Sequence, residues 1–303
     1  MIIQNAYDQH DQIKSLIKKS MINMTPTQVD AWMKYQFDPE NMFCFWQDGK
    51  ITSCLQMKRR LLKYKGQKLA ISCIAFGCTL PDYRQRTHFT KLLEAALEQS
   101  TNNDIMTLVL TSFPKLFENR SFTKISKTKY YWISSHKCKK GKEANIQLYH
   151  EQEDLYPLYK EFISHFDGSI QLTKEQFDKR LQYELARKNK VALMYNASHE
   201  LRGFAIYKGA VNHAKVTTLI YLDTQAIDDL FNYLSFRFNA ISFVSSNDER
   251  FEKLFPYDFP RTQDTFLGRL NNYKLFSKWS DQDIRNIQQA FDEIEGPMWN
   301  HFF

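Results

Sequence analysis

Ile71-Ser72-Cys73-Ile74-Ala75-Phe76-Gly77-Cys78 is followed by Thr79-Leu80-Pro81-Asp82-Tyr83-Arg84-Gln85-Arg86-Thr87-His88-Phe89-Thr90 and then by KLLEAALEQ, residues 91–99. The opening run has the length and bulk of a buried strand, and Pro81 ends it. From Phe89 the apolar residues Leu92, Leu93, Ala96 and Leu97 recur at spacings of three and four, which is helical. A strand that passes through a short basic turn into a helix aims free backbone N–H groups and the positive helix end at one point. That point suits a phosphate-bearing anion. The same pattern also serves an ordinary β-turn-α unit whose arginines face water.

Working outward, the chain before this stretch predicts a short strand at Ile2 and Ile3, a helix over 8–20, and a second helix opened by Thr25-Pro26-Thr27. Residues 42–46, the Asp48-Gly49 turn, 51–62, the Lys65-Gly66 turn and 69–79 then read as three antiparallel strands. After the central helix come an apolar strand over 105–110, a short helix at 113–117 and a strand over 122–133. From Asn145 the order starts again, with helices at 154–166 and 176–186, strands at 191–195, 201–208 and 216–222, a helix at 224–236 and a strand at 240–244. The basic segment Lys137-Cys138-Lys139-Lys140-Gly141-Lys142 between them reads as a solvated connector. The expected architecture is therefore α/β, with two units over 1–140 and 145–278, a mixed central sheet in each, and a helical or extended tail over 279–303.

Thr79-Leu80-Pro81-Asp82-Tyr83-Arg84-Gln85-Arg86 resembles the segment leading into the acetyl-CoA loop of GNAT-family N-acetyltransferases, T-x-P-x-Y-R-x-x-G-x-G/A. Thr87 and Phe89 stand where the family has small residues. Glycine suits such positions because the backbone approaches phosphate closely and a positive φ is free of strain there. Two units with one loop resemble the tandem Eis-type ("enhanced intracellular survival") acetyltransferases. The segments Leu155-Tyr156-Pro157-Leu158-Tyr159-Lys160-Glu161-Phe162 and Gly296-Pro297-Met298-Trp299-Asn300-His301-Phe302-Phe303 resemble the opening of their second unit and their aromatic end. Most of the sterol-carrier-like domain those proteins carry before the end has no counterpart here.

The resemblance implies an acetyl-CoA-dependent transferase acting on a small-molecule or peptide amine. It implies cofactor contacts from Gly77, Cys78 and Thr79 and from Arg84, Gln85, Arg86, Thr87, His88, Phe89 and Thr90. It implies the terminal carboxylate of Phe303 as catalytic base. The family's acid tyrosine falls in Leu116-Phe117-Glu118-Asn119-Arg120-Ser121-Phe122, where Phe117 has no proton to give. The three departures at Thr87, Phe89 and Phe117 leave a second expectation open, a catalytically silent scaffold that binds a ligand or protein.

The 303 residues are 43% hydrophobic and 15% aromatic, enough for real cores and against disorder. The net charge of +7 suits an anionic ligand, but the lysine run holds no base-stacking aromatics, so nucleic acid is not expected. Five cysteines without C-x-x-C predict buried thiols in a reducing, cytoplasmic setting. No run has the length of a membrane span, no metal-ligand spacing occurs, and self-association into a homo-oligomer is compatible with the sequence.

Overall fold

The computed structural model of the chain describes residues 1–139, 145–246 and 249–292. The first half comprises β1 (Ile2–Gln4), α1 (His10–Ser20), α2 (Pro26–Tyr35), β2 (Met42–Gln47), β3 (Lys50–Tyr64), β4 (Gln67–Thr79), α3 (His88–Asn103), β5 (Met106–Leu110), α4 (Lys115–Glu118) and β6 (Thr123–Ser134). The second comprises β7 (Asn145–Leu148), α5 (Tyr156–Ser164), β8 (Ile170–Gln171), α6 (Lys174–Ala186), β9 (Lys190–Tyr195), β10 (Leu201–Gly209), β11 (His213–Tyr221), α7 (Thr224–Ser235) and β12 (Ala240–Ser246). β13 (Arg261–Leu270), α8 (Tyr273–Ser280) and α9 (Ile287–Asp292) follow.

Local chemistry sets the same beginning in both halves. α2 opens on a capping box in which Thr25 and Gln28 exchange side-chain-to-backbone bonds, and α6 opens on another between Thr173 and Gln176. The two tight turns of the β2–β3–β4 meander carry left-handed glycines, Gly49 at φ 73° and Gly66 at φ 75°, each preceded by a left-handed Asp48 or Lys65.

The strands are arranged β1-β2-β3-β4-β5-β13-β6-β12-β11-β10-β9-β7, with β8 beside β3. β4–β5 and β11–β12 are parallel and the other pairs are antiparallel. The expectation of two separate sheets is thereby corrected. β13, from the end of the chain, lies between β5 and β6, while β6 pairs with β12 of the second half from Ser134–Ala240 to Thr128–Ser246. Each half completes its neighbour's strand order, and one sheet runs through the molecule. The expected connector over Lys137 to Lys142 is corrected in its first part, where Lys137 ends a 3-10 turn and pairs with Asp258, Cys138 is buried and Lys139 pairs with Asp228, while residues 140–144 lie outside the described residues.

Helices cover both faces. α1 and α2 pack on Cys44, Cys54 and Cys78, while α3 lays Leu92, Leu93, Ala96 and Leu97 on Phe43, Leu55, Met57 and Val109 from the other side. In the second half α5 and α6 cover Leu193, Phe204 and Ile220, and α7 covers Ala192, Ala205 and Ile241. α8 and α9 close the join by packing Phe276, Ile287 and Phe291 on Tyr64, Ile71 and Phe266. No described helix is long and apolar enough to cross a membrane. All five cysteines are free and buried, and burial pushes the Cys44 and Cys73 thiols up to about 12, so they act as small apolar side chains.

Candidate functional site

β4 and β5 are paired only from Ser72–Thr107 to Ile74–Val109. Beyond Ile74, β4 runs on alone on that side through Gly77, Cys78 and Thr79, and β5 stops at Leu110. The two parallel strands thus part just before the basic turn. β3 holds the free stretch from its other side. Ser53 Oγ donates to the Cys78 carbonyl at 3.1 Å and lies 2.8 Å from Thr79 Oγ1, and Leu80 N–H donates to the Thr52 carbonyl at 2.9 Å.

The turn after it is a short 3-10 segment, Pro81–Tyr83, followed by Arg84 in extended backbone. The left-handed residue of the loop is Gln85, at φ 61°, while Thr87 has an ordinary φ of −75°. Strain therefore falls two residues earlier than the glycine pattern of the resembled family suggests, on a side chain that carries the cost of the left-handed region, ~1–2 kcal/mol. Thr87 is the N-cap of α3, yet its side chain makes no capping bond. The first N–H groups of α3 thus keep their pull on an anion.

The two arginines differ in what they do. Arg84 Nη2 donates to the Ser20 carbonyl at 3.0 Å, capping the last turn of α1. Arg86 stacks its guanidinium 4.8 Å from the centre of the Tyr83 ring, whose hydroxyl donates to Asp48 at 3.0 Å. Lys50 also lies over Tyr83, at 5.1 Å, and Lys91 over Phe45, at 5.9 Å. Three cations therefore border the start of α3 without Arg84. His88 points inward, stacked 4.3 Å from Phe45 with Nδ1 2.9 Å from Thr52 Oγ1. Burial, then the Arg86 and Lys91 charges, hold its pKa below the usual imidazole value, so it packs as a neutral ring.

Phe89 decides how open the site is. A Cβ added at Gly77 would meet the Phe89 ring, 2.9 Å from Cζ and closer still to Cε2. The ring lies over the free backbone of β4 on the α3 side, beside the buried Phe117 and Phe122. Tyr131, on β6, packs in a different core cluster from Phe117. Tyr131 is buried in the second half, stacked 4.8 Å from Phe243. Phe303 and the aromatic end lie outside the described residues.

The second half repeats the strand geometry and closes it. β11 and β12 pair in parallel from His213–Ala240 to Lys215–Ser242. Asp223 then caps α7, accepting from Ala226 N–H at 2.8 Å and from Arg202 Nε at 3.0 Å.

Residues 3–123 match a family profile described as an acetyltransferase (GNAT) domain. The fold is a GNAT fold, carried twice. No curated protein matches the sequence. Among solved structures the chain is similar to a GCN5-related N-acetyltransferase from Anabaena variabilis, at 13% identity and TM-score 0.75, covering 90% of this chain and 73% of that one. It is similar to a conserved protein from Enterococcus faecalis described as a probable N-acyltransferase, at 12% identity and TM-score 0.74, covering 89% and 72%. It is also similar to Eis1 from Mycobacterium abscessus, at 12% identity and TM-score 0.65, covering 90% and 74%.

An acyl-CoA, which a GNAT domain implies as substrate, fits this site at one end. Its pyrophosphate suits the uncapped start of α3 bordered by Lys50, Arg86 and Lys91. A pantetheine arm laid along the strand would meet the Phe89 ring, which covers Gly77. A cavity of about 670 Å3 lies instead along the later part of α3, between Glu98, Arg120 and Arg269, and has no part in this geometry. No group of three or more metal-ligating side chains occurs among the described residues.

Proposed function

We propose that the protein transfers an acyl group from an acyl-CoA, acetyl-CoA being the expected donor, to an amine, using the first GNAT half. The observation that carries this reading is the α3 start, uncapped by any side chain and ringed by cations, set at the parting of β4 from β5. When bound, the thioester supplies an activated carbonyl for direct attack by an amine. In this chain Arg86 and Lys50 hold the phosphates, Gly77, Cys78 and Thr79 offer backbone to the acyl arm, and Phe89 gates it. The tandem order further supports an Eis-type arrangement in which the terminal carboxylate of Phe303 takes the amine's proton. Extending the chain by one residue beyond Phe303 should then abolish transfer and leave the fold intact.

One observation favours a second reading, a GNAT scaffold that no longer turns over. Phe89 covers Gly77, and Phe117 stands where the family has its acid. Calorimetric titration of acetyl-CoA into the parent and into the Thr87→Gly, Phe89→Ala variant separates the two. Affinity about tenfold tighter in the variant supports a gated site, because the ring no longer competes for the strand. Absence of binding in both proteins assigns the scaffold reading.

A further inference from the structure

On the face of the strands opposite α3, a cavity of about 260 Å3 opens onto Ala75 and Phe76, the two residues before Gly77. β3 and β4 form its floor and α2 and α6, which pack on each other, its walls. Lys58, Arg180 and Arg187 all line it, and no described Asp or Glu does. An adjoining groove of about 550 Å3 shares Lys58 and Arg180 and adds Arg60. Lys58 and Arg60 stand on the same face of β3, two residues apart, so both ammonium and guanidinium approach from one side.

Three cations stand close together here. Glu184, a fully buried residue of α6, forms ion pairs with Arg180 Nη2 at 2.7 Å and Arg187 Nη1 at 3.6 Å, so one carboxylate serves two guanidiniums. The ring of Tyr183 lies between them, 5.5 Å from Arg180 and 5.2 Å from Arg187, and fixes their planes. Lys58 Nζ donates to a neutral acceptor, Gln36 Oε1, at 2.6 Å. The buried Nε of Arg60 has no hydrogen-bond partner among the described residues. The adjoining groove, unlike the cavity, also carries acids: Glu40 accepts from Tyr7, Asp38 from Asn41, and Glu175 pairs with Lys179. Burial first, then the Arg60 and Arg180 charges, push the Lys58 ammonium down to about 7, against the weaker opposite pull of Asp38. Several like charges held together around one cavity, two of them sharing a carboxylate from behind, form a site that an anion completes.

We propose that this cavity binds a small molecule through a carboxylate or phosphate group held by Lys58, Arg180 and Arg187. Its apolar part rests on Trp32 and Phe76, whose rings are 4.4 Å apart at the wall. If the acyl-transfer reading above holds, the anion belongs to the acceptor amine, because the cavity reaches β4 immediately before Gly77. That clause alone rests on that reading. The acceptor is then an amino acid or another amine that also carries an acid, and not a polyamine, which these cations repel.

The test is a calorimetric titration of the full chain with inorganic phosphate, with succinate and with 1,4-diaminobutane, repeated on Lys58→Met and Arg187→Gln. Saturable binding of at least one anion is expected in the millimolar range, about tenfold weaker in each variant, with no binding of the diamine. Phosphate alone or succinate alone identifies the anion class and supports the site either way. Arg187 is partly exposed, so its variant keeps the test informative where Lys58→Met fails to fold. No saturable anion binding, equal binding in the variants, or preference for the diamine would overturn the proposal. Acetyl-CoA is absent from this titration. Anion binding by a chain that never takes acetyl-CoA would sink acyl transfer and leave the cavity, and the reverse result would do the opposite.

Discussion

At the first half's junction β4 and β5 share three parallel register pairs and then part, and α3 begins at a Thr87 that caps nothing. At the second half's junction β11 and β12 also share three pairs, but Asp223 caps α7 and pairs with Arg202. Behind it, Tyr221 packs its ring on Phe162 and Phe251 and donates to Glu249 at 2.9 Å. The backbone plan is common to both. The two junctions differ in three or four side chains: a carboxylate neutralises the helix end in the second, and cations border an uncapped helix end in the first. The second half serves as the internal control for what the first half leaves open.

Two glycines test that contrast most strongly. A Cβ at Gly203 would lie 3.0 Å from both Ala226 Cβ and the Ile220 carbonyl, which are held by α7 and β11. Gly203→Ala should cost ~1–3 kcal/mol, seen as a lower urea midpoint at unchanged slope. Gly77→Ala meets the ring end of Phe89, a side chain only partly buried, and should cost less than ~1 kcal/mol if that ring turns aside. Equal losses at the two sites would mean that Phe89 is locked, and a gate there would be excluded.

The arginines give the next effect. Arg86→Ala should weaken acetyl-CoA binding about fivefold by removing one charge-assisted phosphate contact. Arg84→Ala should leave that affinity unchanged and loosen the end of α1, because its guanidinium holds the Ser20 carbonyl. A loss of affinity from Arg84→Ala equal to that from Arg86→Ala would show that Arg84 leaves Ser20 to bind ligand.

Caps come third. Asp223→Ala should destabilise by ~1 kcal/mol, the usual worth of a helix N-cap, whereas Thr87→Ala should fall within ~0.5 kcal/mol because no bond is lost. Thermal melts of the two variants read this directly. A larger loss at Thr87 would show that it does cap α3 in solution.

Much of this was legible in the sequence. The strand at 69–79, the turn at Pro81 and the amphipathic helix after it are local patterns, and local patterns survive into the structure. So did the restart after Asn145, where a second Thr-x-x-Gln capping box begins α6. β13 was not legible. Its first residues, Arg261-Thr262-Gln263-Asp264-Thr265, are polar, and only Phe266 and Leu267 read as core. Its pairing with β5 and β6 joins residues well over a hundred positions apart, which no short-range spacing encodes. The same holds for Arg84, whose partner Ser20 comes from a separate helix, and for the cavity built on Lys58, whose other cations come from α6. Sequence reading found the basic turn between β4 and α3. It missed the basic cavity because its members are spread over two halves that only the fold brings together.

The smallest expected effect concerns that cavity and the pH dependence of stability. The Lys58 ammonium titrates near 7 in the folded chain, against an ordinary lysine value of 10.5. Between those values the unfolded chain holds a proton that the native chain has shed. Stability contributed by this group therefore rises with pH from about 7 to 10.5, by at most ~1.4 kcal/mol per pH unit for one proton, and is at its lowest below 7. Lys58→Met removes the titration, so the variant should gain most over the parent at pH 6 and lose that advantage as pH rises. Arg202→Met in the second half is the matched comparison. Its guanidinium is paired with Asp223 and stays charged throughout, so that variant should show no such slope between pH 7 and 10. Saturating phosphate should flatten the parent's slope as well, because an anion beside Lys58 favours its charged form and draws its pKa back up. If the parent and Lys58→Met melt in parallel across pH 6 to 10, the lysine is hydrated and ordinary, and the crowded cations around it need no anion to relieve them.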